Sequence, residues 1–358
     1  AAARLPLSRA RKLRKAQPEF DPAMFEELAG QGWTGLLLPE EFGGFGLGFA
    51  EARVVIEGLA AQLAPEPMVP VAVLAAGALR RCAQSVQRDE LLTAVAAGTA
   101  VPGLVWQDVA GSLELDSPPF TAAPAGDGWT LDGEARFVRP GSGATEYLLL
   151  ASTPKGVALF AVAPGSSGLE VQHEVQADGT ALARLKATQL SVNAGAALTL
   201  DRADLAATLD EALVMNAVEL FALIVRMRAM TLDYLKTRMQ FGKAIGSFQS
   251  LQHRSADMLM QEELTRAVVG QAVAALDADV SQHRRTSMAS RAKARAAEVA
   301  MSTAREAIQM HGGIAVTDEY DLSLYVNRVL SLAPWLGNAQ AHRRRYVRLN
   351  PPVAGSEG

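Results

Sequence analysis

A single cysteine in 358 residues, Cys82, excludes an internal disulfide and with it the stapled scaffold of a small secreted domain, so a reducing, cytoplasmic setting is expected. It lies in a helical pattern without a nearby histidine and reads as a structural thiol. Neither sign of charge dominates: 34 Lys and Arg against 38 Asp and Glu leave a net −4, which supplies no basic field to draw in nucleic acid. The basic run His342–Arg345 with Arg348 therefore reads as the solvated face of a terminal helix rather than a phosphate grip, and aromatics, 6% of the chain, build no stacking platform. Long apolar runs are lacking as well. The longest, 68–79 and 212–225, fall short of the roughly 18 to 20 residues of a membrane span, and Glu219 interrupts the second. The basic opening stretch has no apolar centre, so a secretory signal is not expected, and a frayed or helical start is. His173, His253, His283, His311 and His342 stand apart from one another and from carboxylates at ligand spacing, so no metal site is expected. Phosphate loops and nucleophile elbows are missing too. The glycine cluster Gly43-Gly44-Phe45-Gly46 reads as a loop between helices.

What is present is a large apolar fraction, 49%, distributed in three patterns. Residues 1–103 carry helix-period segments, and 104–205 are punctuated by glycine and proline between short β-favouring runs, two of them flanking the turn Thr153-Pro154-Lys155-Gly156. From 206 to 358 long amphipathic helices return, with Leu213, Ala217, Leu220, Ile224, Met227 and Leu232 at three- and four-residue steps and a stop at Gly312-Gly313. Helices, then strands, then helices, with no alternation and no internal repeat, exclude a doubly wound sheet. The expected class is mainly α with a central β-domain.

Two segments of the last third are specific: RMQFGKAIGSFQSLQHRSADM at 238–258 and AIQMHGGIAVTDEYDLSLYVNRV at 307–329. Together with Leu38-Pro39-Glu40-Glu41-Phe42-Gly43-Gly44 they resemble the signatures of the flavin-dependent acyl-CoA dehydrogenase family. The resemblance implies a helical domain, a β-barrel or sandwich domain and a carboxy-terminal four-helix bundle. It also implies FAD as cofactor, an acyl-CoA substrate that undergoes α,β-dehydrogenation, and an electron-transfer flavoprotein as acceptor. By position it hands Arg238, Phe241 and Gln249 to a cofactor lying across a subunit interface, with Gln309, Gly312 and Gly313 as a second contacting segment. A guanidinium suits a pyrophosphate, an aromatic ring an apolar face, and glycine a close backbone approach.

The departures from the family are as informative. Its usual catalytic glutamate falls at Leu336, in Trp335-Leu336-Gly337-Asn338-Ala339-Gln340, and leucine accepts no proton. Asn338 and Gln340 remain able to contact a flavin, and Trp335 and Leu336 would line the acyl site. The alternative glutamate position falls near Ala212, which leaves Glu211 beside it and Glu219 two turns on as substitute bases, the second in an apolar run where desolvation favours proton uptake. In the β-domain only Gly111 and Ser112, a substrate-side residue, are kept of one flavin-facing stretch, and Arg139 replaces a small hydroxyl in another. Segments serving a neighbour's cofactor are thus better kept than those serving its own. The chain resembles the divergent small subunits of heteromeric, heterotetrameric bacterial acyl-CoA dehydrogenases of steroid side-chain and dicarboxylic acid degradation, in which a second acyl-CoA dehydrogenase subunit owns the flavin. Two alternatives stay open: a self-sufficient homotetramer using Glu219 or Glu211, and a non-catalytic structural subunit.

Overall fold

In the computed structural model, which describes residues 5–14 and 16–351, the chain forms two units, Ala1–Ala212 and Leu213–Gly358. The first opens with α1 (Leu7–Leu13), α2 (Pro22–Gly30), α3 (Phe49–Ala61), α4 (Ala76–Arg81) and α5 (Val86–Ala96). Their starts follow capping chemistry: Asp21 accepts from the Ala23 amide at 3.1 Å ahead of Pro22, and Ser85 accepts from the Arg88 amide at 3.2 Å. The glycine cluster is the expected loop before α3, and Gly44 is required there because a Cβ would fall 2.1 Å from the Leu38 carbonyl oxygen. The apolar run 68–79 becomes a π-helix, Val69–Ala75, followed by α4, and every residue in it is buried. Pro70 fits because the first helical turn leaves its amide position without an internal acceptor. Cys82 ends α4, and burial pushes its thiol up to about 12, in keeping with an inert structural group.

The β-region contains β1 (Pro102–Val105), β2 (Phe120–Ala125), β3 (Gly128–Val138), β4 (Glu146–Thr153), β5 (Gly156–Val162), β6 (Leu169–Val175), β7 (Ala181–Asn193) and β8 (Ala197–Thr199). They join one sheet in the order β6-β7-β3-β2-β4-β5-β8, with β1 parallel to β4. Pro154 and Lys155 close the β4–β5 hairpin, Thr153 opposite Gly156, as the turn sequence predicts. Phe120, Tyr147, Phe160, Leu185 and Leu190 form the core of this sheet. The register of β3 on β7 shifts between Ala135 and Val138, and within that bulge Phe137 takes φ 67°.

The long α6 (Arg202–Thr237) begins in the first unit and supplies the second with its opening helix. There Leu213, Ala217, Leu220, Ile224 and Met227 are all buried, the face their spacing predicts, while Leu232 is partly exposed. A small hairpin, β9 (Met239–Gln240) and β10 (Lys243–Ala244), leads to α7 (Gln249–Asp277), α8 (Gln282–His311), α9 (Leu322–Leu332) and α10 (Ala339–Leu349). The buried face of α8 is largely alanine, including Ala289, Ala292, Ala296, Ala300 and Ala307, which lets neighbouring helices approach closely. It ends at Gly312 with φ 68°. The order helical, β, helical-bundle agrees with the expected class. Among the described residues no helix is long and apolar enough to cross a membrane.

Candidate functional site

The β9–β10 hairpin is closed by Phe241 and Gly242 with φ of 51° and 77°. A two-residue loop with both φ positive matches strand twist and selects Asn-Gly, so a phenylalanine in its first position is strained by roughly 1–2 kcal/mol. Its ring is 88% exposed and touches only the edge of Phe248, 6.1 Å away between centroids, among the ring contacts of the described residues. Arg238, at the hairpin's base, is exposed, and its guanidinium makes no hydrogen bond or ion pair among the described residues. Gln249 opens α7 and Gln309 lies in the last turn of α8, both exposed. At Gly312 and Gly313 a Cβ would meet open space, so the backbone there is uncovered. Stacking of Tyr234 on His311, 4.4 Å between centroids, brings the end of α6 and the end of α8 together. An unpaired guanidinium, an exposed ring and bare glycine backbone at one end of the bundle fit the pyrophosphate and rings of a dinucleotide.

The turn after α9 carries the other group of expected residues. Trp335 and Leu336 are buried, Leu336 with φ 58°, and the Leu336 carbonyl accepts from His342 Nε2 at 2.7 Å. His342 corrects the expectation of a wholly solvated basic run: it is fully buried, while Arg343, Arg344 and Arg348 point to solvent. The run is amphipathic, and α10 buries its imidazole edge against the bundle. That burial pushes the His342 imidazole down to about 3, so the ring is neutral. Beside it Lys293 is also fully buried, donating to the carbonyls of Leu332 at 3.0 Å and Ala333 at 3.1 Å and to Asn216 Oδ1. Asn216 in turn donates from Nδ2 to Glu219 at 3.2 Å, and Glu219 is half-buried. Asn338 Oδ1 caps α10 by accepting from the Ala341 amide at 2.9 Å, and Gln340 is exposed.

In the first unit, Glu211 is gripped by Arg81 through both carboxylate oxygens, at 3.0 and 2.5 Å, with Arg80 at 3.7 Å. The loop bearing Ser112 is tied into its own chain. Gln107 Nε2 donates to the carbonyls of Gly111 at 2.9 Å and Ser112 at 3.1 Å, and the Ser112 amide donates to Asp108 at 3.0 Å. The Phe137 ring lies 3.2 Å from where a Gly111 Cβ would sit, under the Arg136 guanidinium at 5.0 Å. Arg139 is buried and reaches Thr180 Oγ1 at 3.2 Å.

The sequence and the fold both have known counterparts. Residues 1–99 match the family described as acyl-CoA dehydrogenase, N-terminal domain, and 204–348 the one described as acyl-CoA dehydrogenase, C-terminal domain. Acyl-CoA dehydrogenase IpdE2 of Mycolicibacterium smegmatis is 30% identical over 332 residues, which cover 91% of this chain and 87% of that protein. The chain belongs to the acyl-CoA dehydrogenase family. A structure of the Tcur3481-Tcur3483 steroid ACAD superposes with a TM-score of 0.86 at 30% identity, covering 96% of this chain and 92% of that one. The ChsE4-ChsE5 complex from Mycobacterium tuberculosis gives 0.85 at 27% identity, over 97% and 92%.

Acyl-CoA dehydrogenases are oxidoreductases that use FAD, and both expectations hold for this family member at that level. In this acyl-CoA dehydrogenase chain Arg238, Phe241, Gln249, Gln309, Gly312 and Gly313 share one end of the bundle, whereas Ser112 and Glu211 lie in the other unit. Sequence reading passed over Lys293, Asn216 and the Tyr234–His311 stack. The available signal for Lys293 was its neighbourhood, Ala292, Ala294 and Ala296, small residues that mark close packing around a long side chain.

Proposed function

We propose that the chain is one subunit of a heteromeric, FAD-dependent acyl-CoA dehydrogenase carrying out α,β-dehydrogenation of a CoA thioester, and that its hairpin completes the flavin site of a partner subunit. The observation that carries this reading is Phe241, a ring held in a strained turn and left exposed, beside an unpaired Arg238. Strain of that kind persists where a site needs it. Arg238 would meet the cofactor's pyrophosphate, Phe241 a ring face, and Gly312 and Gly313 the dinucleotide backbone. When bound, FAD supplies the hydride acceptor. The chain's own residues orient that cofactor and shield it from water.

The chain's own site reads as incomplete. Leu336 replaces the usual base, Glu211 is committed to Arg81, and the Ser112 loop is closed over by Phe137 and Gln107. The Tcur3481-Tcur3483 steroid ACAD and the ChsE4-ChsE5 complex among the structural relatives support the heteromeric arrangement, and the first of them a bulky, steroid-like acyl group. An electron-transfer flavoprotein is the natural acceptor, in a cytoplasm that keeps Cys82 reduced. The test is co-expression with a candidate acyl-CoA dehydrogenase partner subunit. The expected product is yellow, with about one FAD per heterodimer, and colour is lost on Arg238→Ala. Full flavin loading and turnover by this chain alone would overturn the reading.

A second reading rests on Asn216, which orients Glu219 through a hydrogen bond and makes it the better of the two substitute bases for a self-sufficient enzyme. Glu219→Gln and Glu211→Gln decide it, because unchanged turnover in both removes that reading. A colourless complex that loses nothing on Arg238→Ala would instead indicate a purely structural subunit.

A further inference from the structure

The two segments read as nucleotide-contacting share a support that neither provides alone. Tyr234 lies one helical turn before Arg238, and its ring stacks on His311, planes 24° apart. Tyr320, beyond the turn that follows α8, approaches the same imidazole at 5.3 Å between centroids and meets Tyr234 edge-on at 6.4 Å. His311 is buried, with Nδ1 2.8 Å from the Ala307 carbonyl. Burial pushes this imidazole below its ordinary value, with the carbonyls of Ala307 and Met230 partly opposing. The neutral ring carries its hydrogen on Nδ1, donated to Ala307, which leaves Nε2 to accept from the Tyr320 hydroxyl at 3.3 Å. Leu235, Met258 and Met310 pack beneath, with Ile245 and Leu251 against them, so the foot of the hairpin is seated on the end of α8.

We infer that His311, clamped between Tyr234 and Tyr320, is a positioning residue for flavin nucleotide binding: it holds the Arg238–Ala244 hairpin and the Gly312–Val316 turn in one register, so that both meet the same dinucleotide. The inference rests on the reading of those segments given above. An isolated two-stranded hairpin is marginal by itself, and so is a five-residue turn. Unsupported, each would have to be ordered by the ligand, and that ordering weakens binding. A stack that fixes both in advance removes the loss. Tyr320 contributes direction as well as area, since its hydroxyl ties the exit of the turn to the ring on which Tyr234 rests.

The test uses the purified heteromer, stripped of flavin and titrated with FAD, with flavin fluorescence and visible circular dichroism as readouts and thermal unfolding as control. Tyr320→Phe removes one hydroxyl and keeps the ring, and FAD affinity is expected to fall about tenfold, the worth of one hydrogen bond, with an unchanged melting midpoint. His311→Leu removes stack and acceptor together and is expected to weaken FAD by about a hundredfold while altering the dichroism of the flavin that remains. Should His311→Leu fail to fold, Tyr320→Phe carries the decision. If Arg238→Ala and Phe241→Ala leave FAD affinity unchanged, the reading of the segments falls and this inference with it. If those two weaken FAD while Tyr320→Phe and His311→Leu bind like wild type, this inference alone is overturned.

Discussion

Replacing Lys293 by methionine keeps the length of the side chain and removes its charge and donors. In the native chain the ammonium is fully buried and reaches three acceptors: Asn216 Oδ1 and the carbonyls of Leu332 and Ala333. Each acceptor left buried without a donor costs about 1–3 kcal/mol, a gross loss of about 3–9 kcal/mol. The carbonyls also end α9, where a cation complements the helix dipole by about 0.3–1 kcal/mol. Against this, methionine no longer has to be held away from water as an ion, a relief of several kcal/mol. The expected net loss for Lys293→Met is about 2–4 kcal/mol, and Lys293→Ala adds roughly 0.8 kcal/mol for each methylene removed. Urea unfolding followed by far-ultraviolet circular dichroism measures both, with an unchanged slope as control. A cycle with Asn216→Leu should return a coupling of about 0.5–3 kcal/mol, because the two side chains share one network. Lys293→Met at or above wild-type stability would refute the reasoning, since the ammonium would then cost more than its hydrogen bonds return.

Acidification should destabilise the second unit through His342. The unfolded imidazole takes a proton near pH 6.5 that the folded ring, at about 3, refuses, so the unfolded state binds more protons and stability falls below about pH 6.5. At about pH 5 the loss is roughly 2 kcal/mol relative to neutral pH, and His342→Gln should flatten that slope in denaturation curves collected across pH. Phe241→Asn installs the residue the turn prefers. The isolated chain should gain about 1 kcal/mol in thermal unfolding while the complex loses 450 nm absorbance, and parallel changes in the two readouts would contradict the proposed role of the ring. Glu211→Gln should cost about 3 kcal/mol by stranding Arg81, with turnover of the complex unchanged, and a selective loss of turnover would return Glu211 to the chemistry.

Much of the fold was legible from periodicity. The three- and four-residue steps of Leu213, Ala217, Leu220 and Ile224 named a buried face, and the Pro154-Lys155 turn named a hairpin, because both signals are local. The roles expected of Arg238, Phe241 and Gly312 came instead from the resemblance of their segments to the family's signatures, and their exposure is visible only in the fold. The buried polar network was not legible either. His342 is followed by three arginines, and although Ala292 and Ala294 flank Lys293, only tertiary packing turns one face of α8 and one edge of α10 inward. The π-helix at Val69–Ala75 escaped notice because an all-apolar run has no period to read. Phe137 in its bulge depends on the register of β3 against a strand far along the chain.

The two margins of the sheet bear on how the polypeptide behaves when produced alone. β8 is three residues long, and β6 presents exposed Glu170 and Gln172, with Glu174 held by Arg136. Short or charged borders discourage strand exchange and fibril templating. Apart from Val175 at the end of β6, exposed apolar side chains lie elsewhere, in Phe241 and in Met260 and Leu264 one turn apart on α7. On the heteromeric reading proposed above, the chain produced alone should therefore associate through helical and hairpin surfaces more than by strand pairing.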